Sequence, residues 1–245
     1  MKHSLSVTVA LVALAATLLS ASQAPPSQPP PAKQQQHGRL FPPTDLGLLE
    51  LPDRDLWQLP EQIMDVLGVA EASVVADVGA GSGWFTVRLA RRVGPNGVVF
   101  AQDVQPEMLN AISRRVEREG LTNVRPTRGY GSDPRLQHNA IDAIVLVGVY
   151  NEIGDKMTML RNLAAALKPQ GRIGIVDFKL QPAGGPGPSV EERVDPKIVV
   201  RDAAAAGLQL LSHETFLPYQ YFLVFSKAAG ATARPTAAQR SPRQP

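Results

Sequence analysis

The sequence predicts an α/β fold in which a doubly wound, mostly parallel sheet carries helices on both faces. Short apolar runs, as expected of buried strands, alternate with longer segments whose apolar residues recur at helical spacing. Residues 74–90, VVADVGAGSGWFTVRLA, join one such run to one such helix through a turn with three glycines. Because 245 residues suffice for one domain and its tails, we take this strand, turn and helix as the first unit of a single sheet.

The other elements follow from the same two patterns and from turn and capping residues. One helix is predicted over 56–67, with Pro60 in its first turn and Gly68 after its end. Further helices are predicted over 106–119, over 155–167 and from 195 until Gly207; further strands over 98–101, from 124 onward, and over 141–149, 173–178, 208–211 and 219–225; a turn over 168–172; and a loop over 181–188.

The glycine turn is the first candidate binding site. Its glycines are Gly79, Gly81 and Gly83, and Ala80 follows the first of them. Glycine allows a positive φ angle and leaves bare backbone, so a ligand can lie against the N–H groups that begin the next helix. Asp77 stands just before the turn. It would repel the pyrophosphate of a dinucleotide, whose site reads G-x-G-x-x-G, but it would attract an amino group.

A second acid, Asp103, ends the next predicted strand. It lies about 20 residues after Gly83, as a strand–helix–strand unit requires. Ligands of doubly wound sheets bind beyond the carboxyl ends of the strands, where Asp103 can accept hydrogen bonds from both hydroxyls of a ribose. Its place just before Pro106 also suits an N-cap of the next helix.

The pattern D-V-G-A-G-S-G over 77–83 resembles the first motif of the class I S-adenosylmethionine (SAM)-dependent methyltransferases. The resemblance covers about 57–227 and implies a Rossmann-like methyltransferase fold, with a seven-stranded, mostly parallel sheet and an antiparallel terminal strand. It implies that Asp77 and the glycine loop bind the methionine portion of SAM. It also implies that Asp103 binds the ribose and that Val104 lies against the adenine.

In this family, an acid in the loop after the third strand often accepts a hydrogen bond from the adenine amino group. The corresponding loop, 128–134, reads RGYGSDP, and Asp133 is its one acid. Because Asp133 precedes a proline, it suits a turn equally well, and both roles stay open.

The strand predicted over 141–149 ends in Tyr150-Asn151-Glu152, which we take as the candidate catalytic residues. A subgroup of the family with small or unassigned substrates carries Tyr-His followed by His or Glu at this point, so Asn151 replaces a histidine. Glu152 could act as a general base and Asn151 could orient an acceptor. Alternatively, both side chains cap the next helix or hydrogen-bond the loop.

The resemblance implies a transferase that moves the methyl group of SAM to an acceptor, expected to be a small molecule, by in-line displacement. Two alternatives remain: a SAM-binding module without transferase activity, and a nicotinamide-dependent oxidoreductase. The chain has no cysteine, which excludes disulfides and a thiolate nucleophile. Its four histidines are not at metal-ligand spacing, and its net charge of +3 is small. We therefore expect neither a metal nor a nucleic-acid partner.

The N-terminus predicts export to the periplasm or the medium. A basic start, an uncharged apolar segment over 5–19 and small residues over 20–24 have the three parts of a signal peptide. An uncleaved membrane anchor is the alternative, and membrane contact is expected only in that case. The predicted organisation is a signal peptide over 1–24, a Pro/Gln-rich linker over 25–45, the methyltransferase domain over 46–227 and a disordered basic tail over 228–245.

Overall fold

The computed structural model of this protein describes residues 40–181 and 185–228. The predicted signal peptide, most of the predicted linker and all but the first residue of the predicted tail lie outside the described residues. Within the described ranges, every helix is too short or too polar to cross a membrane.

Helices and strands alternate along most of the described chain. The helices are α1 Arg54–Gln58, α2 Pro60–Leu67, α3 Trp84–Val93, α4 Pro106–Arg118, α5 Lys156–Ala166 and α6 Pro196–Ala205. The strands are β1 Val74–Val78, β2 Val98–Asp103, β3 Val124–Arg128, β4 Ile141–Val147, β5 Leu167–Phe178, β6 Leu208–Glu214 and β7 Gln220–Lys227. Short 3-10 helices cover Pro43–Glu50, Tyr150–Glu152 and Val190–Glu192.

The seven strands form one sheet in the order β3-β2-β1-β4-β5-β7-β6. Strands β1 to β5 pair in parallel, whereas β7 lies antiparallel between β5 and β6. The predicted fold class, including the antiparallel terminal strand, is confirmed. Successive strands move outward from β1 to β3, and the chain then returns to place β4 on the other side of β1. A ligand crevice forms beyond the strand ends at such a switch point.

The core has two halves, one on each face of the sheet. One half includes Ile63 of α2, Leu89 of α3 and Phe222 of β7. The other includes Leu160 of α5 and Tyr221 of β7. The side chains of neighbouring residues of β7 thus lie on opposite faces of the sheet, since side chains alternate along a strand. The side chains of both halves are almost fully buried. The packed core therefore holds the strand ends rigidly in place.

Two predicted elements differ from the structure by more than a small shift at one end. The helix predicted over 56–67 is two helices, because Leu59 adopts a left-handed conformation with φ of 46° before Pro60. A proline disfavours helical conformation in the preceding residue. Strand β5 begins at Leu167, so the turn predicted over 168–172 is an irregularity within the pairing of β4 and β5.

Candidate functional site

A cavity of about 120 Å³ lies at the carboxyl ends of β1, β2 and β4. Its wall includes the glycine turn and the ends of β2 and β4. A third part of the wall comes from residues before α2, which we call the cover and define as residues 40–50. Cover and α1 residues in the wall are Leu40, Phe41, Leu49 and Arg54.

The glycine turn has a backbone shape that other residues adopt only with strain. Gly79, Gly81 and Gly83 have φ angles of 73°, 55° and 79°. A Cβ atom on Gly79 would lie 2.6 Å from the methyl carbons of Val149, which follows β4. The backbone N–H groups of Gly79 and Ala80 both donate to the carbonyl of Gln102, over 2.8 and 2.9 Å. The turn is therefore held against β2 and β4 without large side chains of its own.

Asp77 lies at the end of β1 and in the cavity wall, with only 2% of its surface exposed. The hydroxyl of Thr86, in the first turns of α3, donates to Asp77 Oδ2 over 2.6 Å. Burial raises the pKa of Asp77 to about 6, while Thr86 and the nearby Arg54 act in the opposite direction. Burying a carboxylate is unfavourable unless a positively charged group pairs with it. The amino group of a ligand would provide that charge.

Asp103 lies at the end of β2, also in the wall. Its Oδ2 accepts from the N–H of Gly81 over 3.0 Å and its Oδ1 from the N–H of Gln105 over 2.9 Å. Burial raises the pKa of Asp103, and these bonds oppose the rise. Gln105, not Asp103, is the N-cap residue of α4. The carboxylate is thus fixed between the glycine turn and α4, and Val104 beside it also lines the cavity.

Glu152 approaches from the opposite side, from the 3-10 helix after β4. Its Oε2 accepts a hydrogen bond from the backbone N–H of Phe41 over 3.2 Å. Burial raises the pKa of Glu152 to about 7, and the negative charges of Asp103 and Asp177 add to the rise. The cavity thus brings Asp77, Asp103 and Glu152 together from three strand ends.

Three predicted site residues do not reach the cavity. Tyr150 is fully buried in the core, and its hydroxyl donates to Asp202 over 2.9 Å. Asn151 is exposed and absent from the wall. Asp133 is also exposed, and it accepts from the N–H of Arg135 over 2.8 Å, as a turn residue does. From the loop of Asp133, Gly131 lines the cavity instead.

Several wall residues were not predicted from the sequence. Gln102 and Phe41 make hydrogen bonds at the site through their backbone groups, and such groups leave no signal in residue type. Arg54 comes from α1, far along the chain from the glycine turn. Thr86 does not line the cavity, but its bond to Asp77 could have been predicted, because a hydroxyl in the first turns of α3 points back towards the strand end that carries Asp77.

The site fits SAM by the chemistry of its donors and acceptors. Asp77 can accept from an ammonium group, and Asp103 presents a fixed carboxylate to ribose hydroxyls. The hydroxyl of Ser82, within the glycine turn, is buried and makes no hydrogen bond to the described residues, so a polar ligand atom would satisfy it. Within residues 40–181 and 185–228, no three histidine or acidic side chains are grouped to hold a metal ion.

The central part of the chain matches known protein sequences. A family model described as "Methyltransferase domain" matches residues 75–171. The ubiquinone/menaquinone biosynthesis C-methyltransferase of Idiomarina loihiensis is 30% identical over 124 residues, which are 50% of this chain and 49% of that protein. The demethylmenaquinone methyltransferase of a Geobacillus species is 27% identical over 113 residues, 46% of this chain and 48% of that protein. The matches span about half the length of these curated relatives.

Solved structures cover more of the chain. A SAM-dependent methyltransferase from Aquifex aeolicus is 28% identical, with a TM-score of 0.72 over 76% of this chain and 98% of that one. A type 11 methyltransferase from Sulfolobus solfataricus, 19% identical with a TM-score of 0.57 over 71% of this chain and 95% of that one, supports the fold alone. Together with the donor set of the cavity, these matches establish SAM as the cofactor. Residues 75–171 thus match the methyltransferase-domain family, and the chain shares the fold of a SAM-dependent methyltransferase.

Proposed function

We propose that this protein transfers the methyl group of SAM to a small-molecule acceptor by in-line displacement. The observation that carries the proposal is the meeting of Glu152 with Asp77 and Asp103 in one cavity. When bound, SAM supplies an activated methyl group on a positively charged sulfur. The protein therefore has to bind SAM, align it with the acceptor and exclude water. Alignment alone is worth about 7–11 kcal/mol.

Each part of the cavity has a task in this mechanism. Asp77 pairs with the amino group of the methionine portion, and the bare backbone of the glycine turn allows close approach. Asp103, fixed by the N–H groups of Gly81 and Gln105, orients the ribose. The cover contributes Phe41 and Leu49 to the wall, and we expect it to limit the access of solvent to the reacting atoms.

Glu152 is the proposed general base. Its pKa of about 7 lies near neutral pH, where a base is most effective. The bond from Phe41 orients the carboxylate through Oε2, which leaves Oε1 to accept a proton from the acceptor. By its name, the relative from Idiomarina loihiensis methylates carbon, and a carbon acceptor loses a proton during transfer. Neither Tyr150 nor Asn151 has a role in this mechanism, because neither lines the cavity.

The test is calorimetric titration of the whole protein with S-adenosylhomocysteine, with NADH in parallel. We expect binding of S-adenosylhomocysteine, weakened by Asp103→Ala, and none of NADH. A screen of small acceptors with labelled SAM then tests transfer. Absence of S-adenosylhomocysteine binding by the folded protein would sink the proposal. Binding without turnover for any acceptor class would favour the SAM-binding module without transferase activity.

We also propose export, with residues 1–24 as a signal peptide that is removed. The support is the basic start, the apolar segment over 5–19 and the small residues at its end. Amino-terminal sequencing of the protein recovered from fractionated cells tests this. A mature chain that begins near residue 25 in the soluble envelope fraction is the expected result. An intact N-terminus in the membrane fraction would instead identify an anchor.

A further inference from the structure

Asp177 is a buried acid that lies outside the cavity and has no part in the mechanism proposed above. It is the second-last residue of β5, and only 4% of its surface is exposed. Its Oδ1 accepts a hydrogen bond from the backbone N–H of Phe178 over 2.7 Å. Its Oδ2 is buried and has no hydrogen-bond partner within the described residues. A buried charge of this kind lowers stability, so its contribution to the protein has to come from its surroundings.

The end of β5 supports the chain segment that leads to Glu152. Strands β4 and β5 pair side by side, and just beyond β4 the N–H of Gly148 donates to the carbonyl of Val176 over 2.8 Å. Two residues later, the backbone N–H of Tyr150 approaches the Asp177 carboxylate and favours its charged form. Tyr150 begins the 3-10 helix that ends at Glu152. The segment is thus supported by β5 at two successive points, and Asp177 is the second.

The negative charge of Asp177 distinguishes it from a neutral residue in the same place. The side-chain oxygen of an asparagine would accept from the same N–H groups without the cost of a buried charge. Burial raises the pKa of Asp177 to about 6, so its carboxylate is charged at neutral pH. A charged carboxylate makes a second carboxyl group nearby harder to ionise.

The groups around Asp177 leave this charge largely uncompensated. Arg193 opposes the rise in the pKa of Asp177, but its guanidinium donates to the carbonyls of Pro188 and Lys179. Tyr221 is the cross-strand neighbour of Asp177 on β7. Burial raises the pKa of Tyr221 further above its ordinary value, so its phenol stays neutral. The carboxylate therefore acts on its surroundings as a negative charge.

Glu152 is the second carboxyl group in the range of this charge. Burial is the main cause of its raised pKa, and the charges of Asp103, Asp177 and Glu192 add to it. Asp103 belongs to the wall at the end of β2, and Glu192 lies in the 3-10 helix after β5. Asp177 is the one of these acids that also contacts the segment leading to Glu152.

We propose that Asp177 is a positioning residue for Glu152: its carboxylate aligns the segment that carries Glu152, and its charge makes Glu152 a stronger base. This inference rests on the proposed role of Glu152 as the general base. Asp177 does not line the cavity, so it touches neither the cofactor nor the acceptor. The proton of the acceptor passes to Glu152, and Asp177 acts only through Glu152.

The test is a titration of Glu152 followed by ¹³C NMR, which needs no acceptor. The whole protein is labelled at the carboxyl carbons of glutamate, and the Glu152 signal is identified by its loss in Glu152→Gln. We expect Asp177→Asn to lower the midpoint of the Glu152 titration by about half a pH unit or more, because a negative charge is removed. An unchanged midpoint would overturn the proposal.

Asp202→Asn is a matched control. Asp202 of α6 accepts from the hydroxyl of Tyr150 over 2.9 Å, so it contacts the same residue as Asp177 does. Its charge is paired with Arg201 and is not among those that act most on Glu152. We expect the Glu152 midpoint to stay unchanged in this variant. Equal shifts in Asp202→Asn and Asp177→Asn would mean that any disturbance around Tyr150 changes Glu152, which contradicts a specific role of Asp177.

Rates of methyl transfer give a second readout. In Asp177→Asn, the rise of kcat/KM with pH should move to lower pH, and its plateau should fall about two- to tenfold, because the base is weaker and less well aligned. Binding of S-adenosylhomocysteine should be retained. A rise at the same pH as in the unmodified protein would contradict the proposal.

Glu152→Gln separates the two possible failures. If the rise persists in Glu152→Gln, the assignment of the base is wrong. If Glu152→Gln abolishes the rise and Asp177→Asn leaves it in place, only the role of Asp177 is wrong. Should Asp177→Asn not fold, Asp177→Ser takes its place, because its smaller side chain fits the same space and its hydroxyl can accept from the same N–H groups. The same shift of the Glu152 midpoint is expected, and its absence has the same meaning.

Discussion

At the scale of single residues, buried acids determine the electrostatic properties of the site. They also lower the free energy of unfolding. Asp77 and Asp177 are almost fully buried, and burial raises the pKa of each to about 6. An acid whose pKa is raised on folding binds its proton more tightly in the folded state. Its stabilising contribution is therefore complete below its ordinary pKa, near 4, and is lost as the pH rises through about 6.

The first prediction concerns Asp77→Asn. We expect this variant to be more stable than the unmodified protein at pH 8, by on the order of 2–3 kcal/mol, and to differ little at pH 4. It should also lose S-adenosylhomocysteine binding, because the ammonium partner is gone. Urea unfolding at the two pH values and calorimetry measure both effects.

Asp177→Asn is the control for that experiment, because Asp177 is as buried as Asp77 but does not line the cavity. The same gain in stability at pH 8 with S-adenosylhomocysteine binding retained would separate the cost of burial from cofactor recognition. A destabilised Asp77→Asn at pH 8 would contradict the assignment of its raised pKa.

The second prediction concerns the pH dependence of transfer. A base acts in its deprotonated form, so kcat/KM should rise with pH and level off above about 7, the pKa of Glu152. Glu152→Gln should lower the plateau about 10²- to 10⁴-fold and abolish that rise. Initial rates from pH 5 to 9 give the profile, and an unchanged profile in the variant would exclude Glu152 as the base.

At the scale of elements, the glycine turn depends on contacts with the end of β4. Gly79→Ala places a methyl group 2.6 Å from the side chain of Val149 at a φ of 73°. Gly120→Ala, after α4, has a similar φ of 64° but meets no atom within 4 Å. We expect Gly120→Ala to cost about 1 kcal/mol of stability and Gly79→Ala clearly more.

Urea unfolding of the two glycine variants checks this third prediction, and S-adenosylhomocysteine binding provides an independent readout. Only Gly79→Ala should weaken binding, because only Gly79 lines the cavity. Equal costs in the two variants would mean that Val149 yields to the new methyl group and that backbone strain alone limits the turn.

The sequence predicted these elements well where one local pattern determined them. Apolar runs located the sheet, and the helix predicted from residue 155 is present, with Asp155 as its N-cap accepting from the N–H of Thr158. The glycine turn with Asp77 and Asp103 located the cavity. Failures came where the local pattern was ambiguous. Leu59 has ordinary helical spacing, yet Pro60 after it forces a break.

The site residues missed by the sequence are those that long-range packing selects. Arg54 and Phe41 reach the cavity from the cover and α1, and no spacing rule connects them to the strand ends. Conversely, Tyr150 follows β4 as expected, but its ring is buried in the core with its hydroxyl on Asp202. The sequence predicts that Tyr150 follows β4, but the packing of the core determines the direction of its side chain.

At the scale of the whole molecule, the cover spans the cavity from one strand end to another. The N–H of Phe41 donates to Glu152 after β4, and its carbonyl accepts from Gln105 Nε2 after β2, over 3.0 Å. Glu50 pairs with Arg115 of α4. The cavity of about 120 Å³ is smaller than the roughly 300–1,000 Å³ usual for ligand pockets, so we expect the cover to move when SAM binds.

The fourth prediction is that the cofactor and the cover stabilise each other. Hydrogen exchange at residues 40–50 should be fast in the free protein and at least tenfold slower with S-adenosylhomocysteine, since opening must precede exchange and release. Gln105→Ala removes one of the two bonds to Phe41 and should speed dissociation of S-adenosylhomocysteine. Gln209→Ala, at an exposed position of β6, should not. If exchange at the cover were unaffected by the ligand, the cover would be a fixed wall, and the cofactor would have to enter by another side of the cavity.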